Sequence, residues 1–191
     1  PSPAAWADLW VASAHKTLGA LTQSAWLHAS ARVPEDRLMR SLAWVQSSSP
    51  SYWLMASLDQ ARAQAERADW EGLIQRCQAF RRAAGKLAGI RMFPSDDPTR
   101  LVIDVAGRGR SGLAAAKTLS GRGIEMEMAD ARRLVAIATP WDEPDKFTRL
   151  AEALDSLPWG RERLELPPLP EPGERVAPLA CARGPRRGLS L

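Results

Sequence analysis

Leu9-Trp10-Val11-Ala12-Ser13-Ala14-His15-Lys16-Thr17-Leu18 is the densest chemical signal in the chain. Four apolar residues read as a short buried strand ending at Ser13, and a serine, a histidine and a lysine follow within apolar sequence. A lysine in such surroundings is costly unless paired or neutral, because desolvation disfavours the ammonium and lowers its pKa. A lowered pKa is what an amine needs to attack a carbonyl and form a Schiff base. Ser13 and His15 are sized to donate hydrogen bonds to a phosphate. On residue types alone, the simpler reading is a surface-loop lysine beside a core histidine.

Outward from this stretch, 191 residues fit one compact domain or parts of two. The chain is 45% hydrophobic and 25% charged, which suits a packed core and argues against global disorder. No apolar run approaches the roughly 20 residues that span a bilayer, so no membrane partner is expected. The opening Pro1-Ser2-Pro3-Ala4-Ala5 lacks a basic stretch and an apolar core, so it does not read as a signal peptide. Its abrupt passage into patterned sequence suggests a start inside a larger protein. Cys77 and Cys181 are far apart, which implies no disulfide framework and a reducing, cytoplasmic setting. No histidine or cysteine pair has ligand spacing, so no metal is expected. The net charge of +4 is spread among acidic residues through most of the chain, which reads as a solvated surface. Nucleic acid is therefore not expected as a partner.

Composition shifts near residue 60, from a Ser-, Ala- and Trp-rich stretch poor in charge to a charged, periodic one. Residues 18–28 are ambiguous. Pro34-Glu35-Asp36 opens a short helix through Leu42, and Ser47-Ser48-Ser49-Pro50 is a turn with Pro50 at the first position of the next helix. Leu54, Leu58, Ala61 and Ala65 share one face, and Leu73, Cys77, Phe80, Ala84 and Leu87 continue such a face. This predicts two helices or one long bent one. Residues 90–93, 101–105, 123–127 and 134–138 read as strands. Ser111 caps a helix over 112–119 with Gly121 as its stop, and Asp142 caps a final helix with Phe147, Leu150, Ala151 and Leu154 inside. The order β-β-α-β-β-α predicts a small α+β unit with helices on one face of its sheet. Beyond Pro158 the Pro-rich segment reads as a linker and the last residues as a basic tail.

Ser13-Ala14-His15-Lys16-Thr17-Leu18-Gly19-Ala20-Leu21-Thr22-Gln23 resembles the Ser-x-His-Lys cofactor motif of the bacterial ornithine/lysine/arginine decarboxylases. The likeness continues in Ala25-Trp26-Leu27-His28, in Gln46-Ser47-Ser48-Ser49-Pro50-Ser51-Tyr52-Trp53-Leu54-Met55-Ala56-Ser57-Leu58-Asp59-Gln60-Ala61-Arg62, in Asp97-Pro98-Thr99-Arg100-Leu101, in Ser111-Gly112 and in Gly123-Ile124-Glu125-Met126-Glu127-Met128-Ala129-Asp130. Each piece alone is weak, whereas the ordered set over roughly residues 6–157 is specific.

The resemblance implies an α/β fold: the C-terminal part of a pyridoxal 5'-phosphate (PLP) dependent, aspartate-aminotransferase-like large domain (1–62), linking helices (63–89), a small α+β domain (90–157), and a Pro/Arg-rich linker and tail (158–191). It implies decarboxylation of arginine, lysine or ornithine to a polyamine or its precursor, by a homodimer or higher homo-oligomer. Lys16 would bind PLP covalently, and Ser13 and His15 would contact its phosphate. His15 would assist proton transfer. Ser48 or Ser49 would reach the phosphate in the partner subunit, with a satisfied turn or helix cap as the competing reading. Glu127, in a Gly-Ile-x-x-Glu pattern, would receive the substrate's distal cation, with a surface strand residue as the alternative. The family's upstream Asp-x-Ala-His-Gly motif, which supplies the partner of the pyridine nitrogen, is absent, so the chain alone is expected to be inactive. Its apolar flank over 11–27 is expected to be left wet. Two alternatives stand beside this reading. One is another PLP enzyme of the same fold, such as an aminotransferase, against which Glu127 and the lack of an arginine clamp argue. The other is a non-catalytic remnant that binds partners, or nucleic acid, through Arg183, Arg186 and Arg187.

Overall fold

Two antiparallel strands open the structure, a computed structural model that describes residues 3–162. β1 (Leu9–Ala12) pairs with β2 (Trp26–Ala29) from Leu9↔Ala29 to Ala12↔Trp26. The register sets Trp10 opposite His28, and their rings stack at 4.8 Å with 6° between planes. Between the strands lies α1 (Ala14–Thr17), a single turn. The buried strand expected at Leu9–Ala12 is not buried: Leu9, Val11 and Leu27 are exposed, because within the described residues β1 has β2 as its only sheet neighbour. The exposed apolar flank expected over 11–27 is present.

Glu35 and Asp36 place negative charge in the first turn of α2 (Glu35–Val45), where the helix dipole favours it. This helix runs past Leu42 and buries no residue. At α3 (Tyr52–Arg67) the start differs from expectation. Ser51 is the cap, its side chain accepting from the Leu54 N–H at 3.4 Å, so Pro50 lies outside the helix. A break at Ala68–Asp69 resolves the choice in favour of two helices. Asp69 caps α4 (Trp70–Ala84) by accepting from the Gly72 N–H at 2.8 Å, and Trp70 donates its indole N–H to the Ala65 carbonyl at 2.8 Å.

The second sheet is antiparallel throughout, in the order β3 (Arg91–Phe93), β4 (Arg100–Asp104), β6 (Arg133–Ile137), β5 (Met128–Ala129), with α5 (Gly112–Ser120) between β4 and β5 and α6 (Pro144–Asp155) following β6. Met92, Leu101, Ile103, Leu134 and Ala136 share one face by register and pack with Leu73, Cys77 and Phe80 of α4, Ala115 and Leu119 of α5, and Leu150 and Leu154 of α6. All three helices therefore cover one face, as the element order implied.

Two expectations fail here for local reasons. Residues 123–127 do not form a strand: Gly123 takes a left-handed φ of 71° and the Ile124 N–H returns to the Leu119 carbonyl, so both residues finish the α5 turn. The ladder begins only at Glu127, whose N–H donates to the Val135 carbonyl. Asp142 does not cap α6, whose cap position is Glu143 with Pro144 opening the helix. Asp142 instead accepts from the Thr139 N–H at 2.7 Å, the Thr139 hydroxyl at 2.8 Å and Lys146 Nζ at 3.0 Å, tying down the loop ahead of the helix.

At the far end of α6 a buried guanidinium holds the chain. Arg108, 4% exposed, donates to the carbonyls of Asp155 (2.8 Å) and Leu157 (3.0 Å) and lies over the Trp159 ring. Gly109, at φ 64°, passes so close to Gly160 that an added Cβ would sit 2.2 Å from its carbonyl oxygen. Expectations for the tail, including Cys181, Arg183, Arg186 and Arg187, fall outside the described residues.

Leu134→Ala, at a site with 0% exposure, is expected to lower unfolding free energy by about 3 kcal/mol in denaturant titration. Val11→Ala, at an exposed site, should change it by about 0.5 kcal/mol or less. Burial raises the Asp142 pKa, but the Thr139 and Lys146 hydrogen bonds outweigh it and hold the carboxyl below the ordinary value. A depressed folded pKa contributes stability that is present above the unfolded value and lost as pH falls through the folded one. Asp142→Asn should therefore cost about 1 kcal/mol near neutral pH, and the gap to the parent should close as pH drops below the usual carboxylate range.

Candidate active site

α1 is short because the chain turns out of β1 and must return to β2. Ser13 holds its cap position in an extended conformation with no side-chain bond to the helix, and within the described residues its hydroxyl makes no hydrogen bond. The Lys16 N–H reaches the Ser13 carbonyl at 3.2 Å and the Leu18 N–H the Ala14 carbonyl at 3.0 Å, which closes the turn over the buried Ala14. His15 is fixed twice by Ser24: its N–H donates to the Ser24 carbonyl at 3.4 Å, and Nδ1 lies 2.7 Å from the same oxygen. A carbonyl only accepts, so Nδ1 carries the proton and Nε2 stays open as an acceptor, or as a second donor when the ring is charged. Ser24 is itself buried and donates to the Leu21 carbonyl. Gln23, at φ 66°, makes the bend that turns Ser24 inward. The loop is anchored to α3 by the Leu21 N–H on Ser57 Oγ at 3.2 Å.

Lys16 stands exposed on this turn, in place of the dry pocket expected for it. The physical reason is the wet hairpin: the side of β1 and β2 that carries Leu9, Val11 and Leu27 faces no second layer. The structure thus brings Ser13, His15 and Lys16 together and leaves the other candidates apart. Ser48 and Ser49 lie in the exposed α2–α3 turn, where the Ser49 N–H donates to Ser47 Oγ at 3.1 Å. Neither hydroxyl of Ser48 or Ser49 is bonded within the described residues. Glu127 is exposed at the start of β5 in the other sheet. Its neighbour Glu125, not Glu127, lines a cavity of about 270 Å³ between the end of β6 and α6. Ser24, which orients His15, was not singled out from the sequence. Its only signal was a Gln-Ser pair after a turn-forming threonine.

The family model described as Orn/Lys/Arg decarboxylase, major domain, matches residues 7–102, which include β1, the Lys16 turn, α2, α3, α4 and the start of β4. The chain belongs to the Orn/Lys/Arg decarboxylase family. Among curated relatives, it is 36% identical over 143 residues to the uncharacterized protein YaaO of Bacillus subtilis, covering 69% of this chain and 30% of that one. It is 33% identical over 166 residues to an arginine decarboxylase of Bacillus subtilis, covering 79% and 34%. The chain thus spans about a third of the length of these relatives. The Francisella novicida lysine decarboxylase LdcF shares its fold, with a TM-score of 0.67 at 22% identity over 77% of this chain and 27% of that one. The Escherichia coli constitutive lysine decarboxylase superposes with a TM-score of 0.62 at 20% identity, over 76% of this chain and 27% of that one. The mixed α/β architecture of this decarboxylase family member is therefore that of part of a decarboxylase fold.

Against PLP, the cofactor the family implies, the residues fit at one end. An exposed primary amine, an uncommitted Ser13 hydroxyl and an imidazole locked by one nitrogen suit an aldehyde and a phosphate. Asp8, the carboxylate just before β1, is already held by Arg32 Nε at 2.6 Å and Ser30 Oγ at 3.0 Å, and those bonds keep its carboxyl below the ordinary range. Among the described residues no cluster of histidine, cysteine or carboxylate side chains could hold a metal.

Nitrogen-resolved NMR at mildly alkaline pH should find the His15 proton on Nδ1. Replacing Ser24 with proline, which disturbs the bend, should scramble that preference, while a protonated Nε2 in the parent would contradict the geometry.

Proposed function

We propose that this chain carries the amine- and phosphate-binding part of a PLP-dependent decarboxylase of a basic amino acid, arginine or lysine before ornithine. The observation that carries the reading is the single turn of α1, which presents Ser13, His15 and Lys16 side by side with Lys16 accessible. Membership of a family of basic-amino-acid decarboxylases supports it, and the arginine and lysine decarboxylases among its relatives and structural neighbours favour those two substrates.

When bound, PLP supplies an electron sink for the pair left at Cα as CO2 departs. Lys16 Nζ is the amine that would hold the cofactor's carbonyl carbon. Ser13 Oγ, free of any cap bond, would donate to the phosphate, and the outward nitrogen of His15 would do so with the ring protonated. Because Nδ1 is committed to Ser24, only Nε2 of His15 can take up or release a proton there. Glu127 would accept the cationic head of the substrate from its exposed position before β5. The proposed division places residues 1–62 in the cofactor domain, 63–89 in the linking helices, 90–157 in the small domain and 158–191 in the linker and tail.

Ser48 or Ser49 would complete the phosphate site of a second copy. Trp44, Val45, Tyr52 and Trp53, each at least 80% exposed, flank their turn, and such an apolar patch suits a homodimer or larger homo-oligomer. The ring-nitrogen partner would come from the part of the family fold that this chain does not span, since Asp8 is taken by Arg32. The chain alone would then release little or no CO2. Among the described residues no helix is long and apolar enough to cross a membrane, and the proposed setting is cytoplasmic.

Incubation with PLP, borohydride reduction and peptide mapping should place the pyridoxyl group on Lys16, with the label lost in Lys16→Arg and reduced in Ser13→Ala. Labelling of Lys86, Lys117 or Lys146 in preference to Lys16 would sink the assignment.

A further inference from the structure

The face of the second sheet turned away from the helices is not an ordinary solvated surface. Register places Arg91, Asp104 and Arg133 in one row across β3, β4 and β6, and Phe93, Val102, Val135 and Met128 in the next row across all four strands. Arg91 and Arg133 are exposed, and their guanidinium carbons lie 4.8 and 4.6 Å from the centroid of the Phe93 ring. Asp104 stands between them in the register but does not neutralise either. Its carboxylate is buried, takes the Ala106 N–H at 2.8 Å and pairs with Arg132 at 3.5 Å. Neither Arg91 nor Arg133 has an ion pair or side-chain hydrogen bond within the described residues. A third row holds Arg100 and Ile137, and there the charge is already met by Asp97 at 3.3 Å.

We propose that this face docks an extended acidic polypeptide segment through Arg91, Phe93 and Arg133. The Phe93 ring holds both guanidinium groups over it before any partner arrives, so less side-chain freedom is lost when their N–H groups meet carboxylates. The apolar row is what selects a peptide. It lies one two-residue step from the cationic row, about 7 Å along the strands. An extended peptide repeats its side chains on one face at the same step, so an acid at one position and an apolar residue two further on meet the two rows together. Inorganic phosphate could satisfy the arginines but would leave Val102, Val135 and Met128 without a counterpart. Nothing in this docking face draws on Lys16 or on decarboxylation.

The test is fluorescence anisotropy with the full chain and a labelled peptide of two Glu-Glu-Leu-Leu repeats, in which each face of the extended chain alternates acid and leucine. The all-Gln counterpart of that peptide, an oligothymidylate of eight nucleotides and inorganic phosphate as competitor are the controls. The parent should bind the acidic peptide with an affinity that falls as salt rises, and the Gln peptide much more weakly. The double variant Arg91→Gln, Arg133→Gln should lose about tenfold in affinity. Phe93→Leu keeps an apolar residue in the row but removes the stack, and should fall between. Thermal melts that match the parent separate loss of binding from loss of fold. The proposal is overturned if the parent does not bind the acidic peptide, if the Gln peptide binds as well, or if the double variant binds unchanged. It is equally overturned if the oligothymidylate binds more tightly through the same residues, or if millimolar phosphate displaces the peptide, because the face would then read phosphate.

Discussion

Five residue pairs between β4 and β6, from Arg100↔Ile137 to Asp104↔Arg133, set what the rest of this chain can do. Strand side chains alternate, so a slip of one residue would exchange the two faces of the sheet. In the observed register Leu101 and Ile103 meet Ala136 and Leu134 against three helices, and the opposite face is left with Phe93 and its two arginines. The loop that ends α5, the start of β5 and the placement of Glu127 all follow from where β6 lies. The hairpin that carries Lys16 has no such core of its own. Its buried residues are Ala14 and Ser24, and its order rests on the Trp10–His28 stack and on contacts to α3.

That contrast explains what could be read in the sequence. α4, α5 and the strands β3, β4 and β6 were legible because they surround one core and so show clean periodicity, with Cys77, Phe80 and Ala84 at helical spacing and Leu101 and Ile103 in alternation. Ser111 was legible as a cap for the same reason: an apolar helix begins just after it. Asp142 departs from the expected cap because a carboxylate two residues before a helix has two options. It can accept from the helix N–H groups or from its own loop, and Pro144 and Thr139 decided for the loop. The strand proposed over 123–127 had the right composition, but the left-handed Gly123 consumed its first residues in closing a helix.

The cofactor turn was legible in another way. Apolar residues, a serine, a histidine and a lysine in succession suggested the chemistry, and the ordered likeness to the family selected it from blander readings. Periodicity could not report that Lys16 would stand in the open, because exposure depends on what lies across the hairpin and not on the hairpin's own residues. Nor could it find Ser24, whose role lies in a backbone carbonyl that any residue type could supply. The backbone bend at Gln23 aims that carbonyl, and local sequence encodes such bends only weakly.

The two ends of α6 are tethered by groups of different kinds. In front, the loop is gathered by the Asp142 carboxylate, which acid can neutralise. Behind, the chain is gathered by the buried Arg108, which grips two backbone carbonyls and needs no carboxylate to do so. The helix is thus hinged on a fuse at one end and a rivet at the other. Souring the solution would release the Thr139–Asp142 side first, so α6 should peel from its N-terminal end while its last turn stays clamped beside Trp159.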